Sequence, residues 1–350
     1  VSWKVIFGNG YNSPSEHTYL YIVNLQTGIL IKKISAGTIC GTPPCSNGLS
    51  SPVLFDTNND KIVDAVYAGD LQGNMWKFDL SSTDPNSWGT AYSGQPLFTA
   101  RNGSGGIQPI TAQPKISGHP NGGYMIFFGT GRYLTNTPAG NSDLTDTSVQ
   151  SFYGIRDNGS AIATTDRSEL QSQNMIDQGS FSGFDVRTTS QNAVDWSTQK
   201  GWHLDLVELP ASTARGERVV SMPLVVGDRV IFVTLIPNTD PCIPGGESWL
   251  MEISTLTGGA PPSSVFDFNN DNTFDDADRY NMGIVSGLKS TVGIGKTPVF
   301  MMSAGAGEPA IKFMSGTSGG IQVIKNKNVP LCTINCPSGT ASRVYWMQIQ

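Results

Sequence analysis

Two acidic stretches of this 350-residue chain combine residue types and spacing that could hold a metal ion. The first reads Asp56-Thr57-Asn58-Asn59-Asp60-Lys61-Ile62-Val63-Asp64, and the second Asp267-Phe268-Asn269-Asn270-Asp271-Asn272-Thr273-Phe274-Asp275-Asp276-Ala277-Asp278. Calcium is a hard cation that takes roughly six to eight oxygen ligands. A short loop supplies them from side chains at positions 1, 3 and 5 and from the backbone carbonyl at position 7. In the first stretch these are Asp56, Asn58, Asp60 and the Ile62 carbonyl, with Asp64 closing the cage at position 9. In the second they are Asp267, Asn269, Asp271 and the Thr273 carbonyl, with Asp278 at position 12.

The second stretch is similar to the twelve-residue calcium loop of EF-hand and dockerin modules. Its sixth residue, Asn272, tolerates the left-handed turn that such loops usually give to Gly. Lys61 occupies that position in the first stretch. A left-handed Lys is costly, so the first loop is expected to close by a tighter, nine-residue path and not by the EF-hand turn. Apolar residues flank it at 52–55 and 63–68, which predicts a strand-loop-strand site. The competing reading is an ordinary solvated turn, since Asp and Asn side chains bond their local backbone. Recurrence of the same ligand spacing in two places favours metal.

The elements that must position these loops are short strands. Apolar, β-branched and aromatic runs recur at 3–7, 18–24, 29–34, 74–79, 124–128, 151–155, 202–206, 230–236 and 249–253, separated by Gly, Asn, Ser or Pro. Residues 167–175 form the best helix candidate. A weak repeat of aromatic, apolar and acid or amide before a turn occurs at 19–28, 74–80, 202–206 and 249–258. Blade strands of β-propellers carry this pattern, and blades of ~40–50 residues would place six to eight of them here. The chain is therefore expected to be all-β, one modified β-propeller domain over 1–350, with a polar insertion between blades at 135–200.

Composition agrees with an extracellular, turn-rich β protein: 14% charged residues, 38% hydrophobic and 40 Gly. The net charge of −6 excludes nucleic acid as a natural partner, because no basic stripe exists to replace counterions on phosphates. No run of eighteen apolar residues is present, and the chain opens directly in a strand-like stretch, as expected of a domain excised from a longer exported protein. Cys40 with Cys45 and Cys332 with Cys336 are spaced for local disulfides in an oxidising compartment, leaving Cys242 over.

The block 56–80, with its acidic loop followed by Val63-Asp64-Ala65-Val66-Tyr67-Ala68-Gly69-Asp70-Leu71-Gln72-Gly73-Asn74-Met75-Trp76-Lys77-Phe78-Asp79-Leu80, closely resembles the C-terminal propeller domain of the PilY/PilC family. These are tip-associated adhesins and biogenesis factors of bacterial type IV pili. Further stretches carry the resemblance at 96–100, 108–112, 128–134, 150–155, 201–202, 216–220, 234–237 and 246–252, so it covers nearly the whole chain. It implies a modified seven-bladed propeller at the cell surface or pilus tip, associated with the outer membrane. It also implies one calcium on Asp56, Asn58, Asp60, the Ile62 carbonyl and Asp64. Occupancy is then expected to oppose pilus retraction, and so to govern twitching motility and adhesion, with pilins, minor pilins and a host-cell receptor as partners. The expected mechanism is local: binding relieves repulsion among Asp56, Asp60 and Asp64 and orders the hairpin. No Arg-Gly-Asp triplet occurs, so integrin binding through it does not carry over.

Three other readings compete. Gly316-Thr317-Ser318-Gly319-Gly320 satisfies the nucleophile-elbow pattern, but strand-like residues follow it and no His lies after His203, so a hairpin turn is expected. His17, His119 and His203 are far apart and read as packing residues. A quinone-dependent propeller dehydrogenase would carry a Trp-bearing docking repeat in nearly every blade, and the seven Trp here lack that register. A glycan-binding propeller would use exposed aromatics such as Trp88 and Tyr92.

Overall fold

Alternating apolar residues make strands wherever one face can be buried, and the computed structural model is built, among its described residues, from β-strands with three single-turn 3-10 segments. It describes residues 3–11, 17–37, 46–134, 143–162, 166–238, 245–303 and 308–328. All five cysteines lie outside these, and with them the expected disulfides. The described residues divide into two compact units, one holding those up to Asp143 together with Ile155–Glu169, the other Leu144–Gly154 and those from Leu170 to Asn328.

In the first unit, β1 (Lys4–Gly8), β2 (Thr18–Asn24) and β3 (Leu30–Ala36) form an antiparallel sheet. Leu20 and Ile22 of β2 point inward and join Ile34, Leu49, Val66, Trp76 and Phe78 in one apolar core. A second antiparallel sheet contains β4 (Val53–Phe55), β5 (Ala65–Gly69) and β6 (Asn74–Asp79). Every residue of β5 is buried, which fixes its register against both neighbours.

In the second unit, a sheet runs in the order Met175–Phe181, Phe184–Thr189, Gly283–Lys289, Trp249–Ser254, Arg229–Val233 and Leu224–Val226. A further sheet holds Val299–Met301, Ala310–Ser315 and Ile321–Asn326. Val186, Ile231, Leu250, Phe266, Leu288, Met314 and Ile324 share one core.

The helix expected at 167–175 does not form: Leu170–Gln173 is a strand paired in parallel with Gly201–Asp205, and Met175–Phe181 is another. Arg167 sits at φ +64°, and a helix of so few residues is marginal without tertiary support. The support goes to the strand, where buried Gln173 donates to the carbonyls of Asn192 and Thr257. The described residues within 135–200 include the strands Ser151–Asp157, Leu170–Gln173, Met175–Phe181 and Phe184–Thr189. Some of the polar residues there are buried and bonded inward, as is Thr189 with Ser286 at 2.8 Å. Gly316–Gly320 is the turn of the antiparallel hairpin in which Ser315 faces Ile321, without the following helix that a nucleophile elbow needs.

Candidate functional site

The first acidic loop closes the hairpin between β4 and β5. Phe55 faces Ala65 across the strands, and the Asp64 N–H donates to the Phe55 carbonyl at 3.0 Å. Within the loop the side chains turn inward onto the backbone. Asp56 Oδ1 accepts the N–H groups of Asn59 at 2.6 Å and Asp60 at 3.2 Å, while Oδ2 accepts that of Lys61 at 2.8 Å. Asn58 Oδ1 accepts from the Asp60 N–H, and Asp60 Oδ1 from that of Ile62 at 2.7 Å. Asp64 is buried, and its Oδ2 accepts both the N–H and the hydroxyl of Thr57, at 2.8 and 2.6 Å.

The second loop repeats three of these bonds and lacks those that Asp56 Oδ1 makes. Asp267 Oδ2 accepts the Asn272 N–H at 3.1 Å, Asn269 Oδ1 that of Asp271 at 3.1 Å, and Asp271 Oδ1 that of Thr273 at 2.7 Å. The backbone agrees: Asn59 and Asn270 at position 4 have φ of +64° and +65°, and Lys61 and Asn272 at position 6 have +75° and +65°. Lys61 therefore adopts the left-handed turn that its side chain was expected to prevent. The cost of about 1–2 kcal/mol is offset by its N–H bond to Asp56 and by a 2.7 Å bond from its Nζ to Asn59 Oδ1. The loops differ in bonding at position 1 and in chain path after position 7.

Beyond that point the first loop enters β5 directly, whereas the second makes a 3-10 turn at Asp276–Asp278 capped by Asp275. Asp278 is buried, and its Oδ1 accepts the Phe268 N–H at 2.7 Å. Burial raises its carboxyl above the ordinary range, the Asp267 charge adding to this, while the Thr273 hydroxyl holds exposed Asp271 below its own. Among the described residues no three His, Cys, Asp or Glu side chains form a ready-made metal cage. The donors are spread along each loop and are all oxygen, a set whose hardness fits calcium and not zinc.

Asp70, which spacing did not single out, organises the turn after β5. Its buried carboxylate accepts the N–H groups of Gln72 and Asn74, the Asn74 side-chain amide and the Trp76 indole. Gly73 closes that turn at φ +80°, where an added Cβ would meet the Ala100 and Gln108 carbonyls at 2.7 Å. Asp at the first position of a turn and Gly at the fourth is a readable signal. Trp88 and Tyr92, expected as exposed aromatics, are half-buried and engaged: Trp88 Nε1 donates to the Ser82 carbonyl at 2.7 Å. The Tyr92 hydroxyl donates to Asp157 at 2.5 Å, beside Tyr67 and Lys77 on the same carboxylate.

An all-β chain of short, mostly antiparallel sheets joined by tight turns has the architecture of a β-propeller domain. A profile of the PilY1 beta-propeller domain family matches residues 1–184. The crystal structure of the Pseudomonas aeruginosa PilY1 C-terminal domain is similar at 31% identity, covering 94% of this chain and 70% of that one with a TM-score of 0.77. The chain belongs to the PilY1 β-propeller family. It is 39% identical over 75% of its length to a type IV pilus biogenesis factor PilY1 homologue of Xylella fastidiosa, and 36% identical over 80% to PilY1 of Pseudomonas aeruginosa PAO1. It spans only 18% and 26% of those two proteins.

Proposed function

We propose that this domain serves type IV pilus biogenesis as the calcium-responsive part of a pilus-associated surface protein, controlling the balance of extension and retraction. The observation that carries this reading is the 56–64 loop, held between the buried strand β5 and β4 within the family-matched region. Asp56, Asn58, Asp60, the Ile62 carbonyl and Asp64 would hold the ion, which supplies positive charge to three carboxylates. Binding relieves the repulsion among these carboxylates and orders the hairpin end, whose backbone the same side chains bond. The neutralised surface is what pilins or minor pilins read, and twitching motility and adhesion follow from it. Export through the periplasm to the cell surface or pilus tip is part of the same reading, as is a non-enzymatic role.

Calcium titration calorimetry on the wild-type chain and on Asp60→Ala, with circular dichroism to confirm the fold, tests the site. Twitching assays of the same substitution in the full-length protein test its role. Unchanged calcium binding in Asp60→Ala would sink the site assignment, and lost binding with normal twitching would sink the control function.

A further inference from the structure

The second loop contains a feature that the first lacks. The Asp267 side chain is 0% exposed, and its Oδ2 is occupied by the Asn272 N–H at 3.1 Å with Lys325 Nζ 3.8 Å away. Its Oδ1 is buried and has no hydrogen-bond donor among the described residues. A carboxylate oxygen enclosed without a donor is among the costliest groups a protein can bury, and such groups are retained where a cation completes them. Lys325 is not that cation. Its ammonium is bonded to Asn272 Oδ1 at 2.7 Å and faces the Oδ2 side. Arg279, the other basic group nearby, is drawn to the exposed Asp276 at 3.0 Å. Around the loop, Asp267, Asp271, Asp275, Asp276 and Asp278 thus outnumber Lys325 and Arg279.

We propose that residues 267–278 form a second, independent calcium site built on Asp267 Oδ1, with Asn269, Asp271, the Thr273 carbonyl and Asp278 as the further oxygen donors. Asp267 is directed into the loop by its bond to Asn272, and the donors that follow have the spacing of a calcium loop. The oxygen-only set excludes soft metals as the natural ligand. Lys325, on the strand Ile321–Asn326, ties this site to the hairpin that strand closes, and its charge opposes the incoming ion.

The test is the number of calcium ions bound per chain, by calorimetry and native mass spectrometry, for wild type, Asp60→Ala, Asp271→Ala and the double variant. Two ions, one, one and none are expected, with the second-site affinity falling at least tenfold in Asp271→Ala. Asp267→Asn serves as an independent substitution, and Lys325→Met should tighten binding several-fold. If Asp271→Ala and Asp267→Asn both fold and bind as many ions as wild type with unchanged affinity, the second site does not exist. Failure of the first-loop assignment reads differently, as an Asp60→Ala chain that loses no ion.

Discussion

The Asp278 carboxylate accepts the backbone N–H of Phe268 at 2.7 Å, so the last acid of the second loop grips the second residue of the same loop. Asp64 does the same to Thr57 at 2.8 Å in a loop three residues shorter. The closing carboxylate is therefore a clasp as well as a candidate ligand. Asp64→Ala should lower calcium affinity and also destabilise the fold by about 1–3 kcal/mol, because it leaves the Thr57 N–H without its acceptor. Asp64→Asn keeps an acceptor oxygen and should lose affinity with little loss of stability. Urea denaturation beside calorimetry separates the two effects.

Lys61 holds a left-handed backbone that glycine adopts freely. Lys61→Gly should stabilise the hairpin by up to ~1 kcal/mol and strengthen calcium binding, since it also removes a positive charge. Lys61→Val should do the reverse, a β-branched residue being least tolerant of positive φ. Melting temperature and calcium titration report both.

Asp70 serves four donors from a fully buried position. Asp70→Ala strands the Trp76 indole and the Asn74 amide, and should cost about 3–5 kcal/mol. The expected result in thermal unfolding is a large fall in melting temperature, with near-UV circular dichroism showing the displaced Trp76.

His119 caps the turn before the strand Tyr124–Gly129, its Nδ1 accepting the Asn121 N–H at 3.1 Å. Burial, with the Arg156 charge adding to it, pushes its imidazole down to about 4. The unfolded chain titrates near ~6.5, so between these values it binds a proton that the native state does not. The stabilisation is full above the unfolded value and is lost as pH falls through the window from about 6.5 to about 4. His119→Asn retains an acceptor without the titration, so its stability should depend less on pH across that window in urea denaturation.

Glu252 is enclosed with Arg229, Lys312 and Asn326, all buried. Burial alone would raise its carboxyl, yet Lys312 and Arg229 hold it below the ordinary range. Glu252→Ala leaves two cations without their anion and should cost about 3–5 kcal/mol, whereas Lys312→Met leaves Glu252 bonded to Arg229 and should cost far less. Equal losses in chemical denaturation would show that packing, and not charge, dominates this site.

What the sequence made legible was local. Alternation placed Thr18–Asn24 and Asn74–Asp79 with both ends correct, and ligand spacing brought out two loops that share their side-chain-to-backbone bonds at positions 3 and 5. Lys61 misled because a propensity states an average cost, and two bonds made within the loop outweigh it here. The 167–175 stretch misled for a longer-range reason, since Gln173 finds its partners at Asn192 and Thr257. Tyr92 could not be placed from sequence either, because the Asp157 carboxylate that buries it lies 65 residues away.

Glu252 on the strand Trp249–Ser254 binds Arg229 on Arg229–Val233, Lys312 on Ala310–Ser315 and Asn326 on Ile321–Asn326, so one carboxylate pins four strands. Ionic contacts lose their hold over a short displacement once separated. A pull on the last of these strands would meet stiff resistance and then sudden yield, and the region around Glu252 would bear mechanical load as a brittle fastening and not as a compliant one.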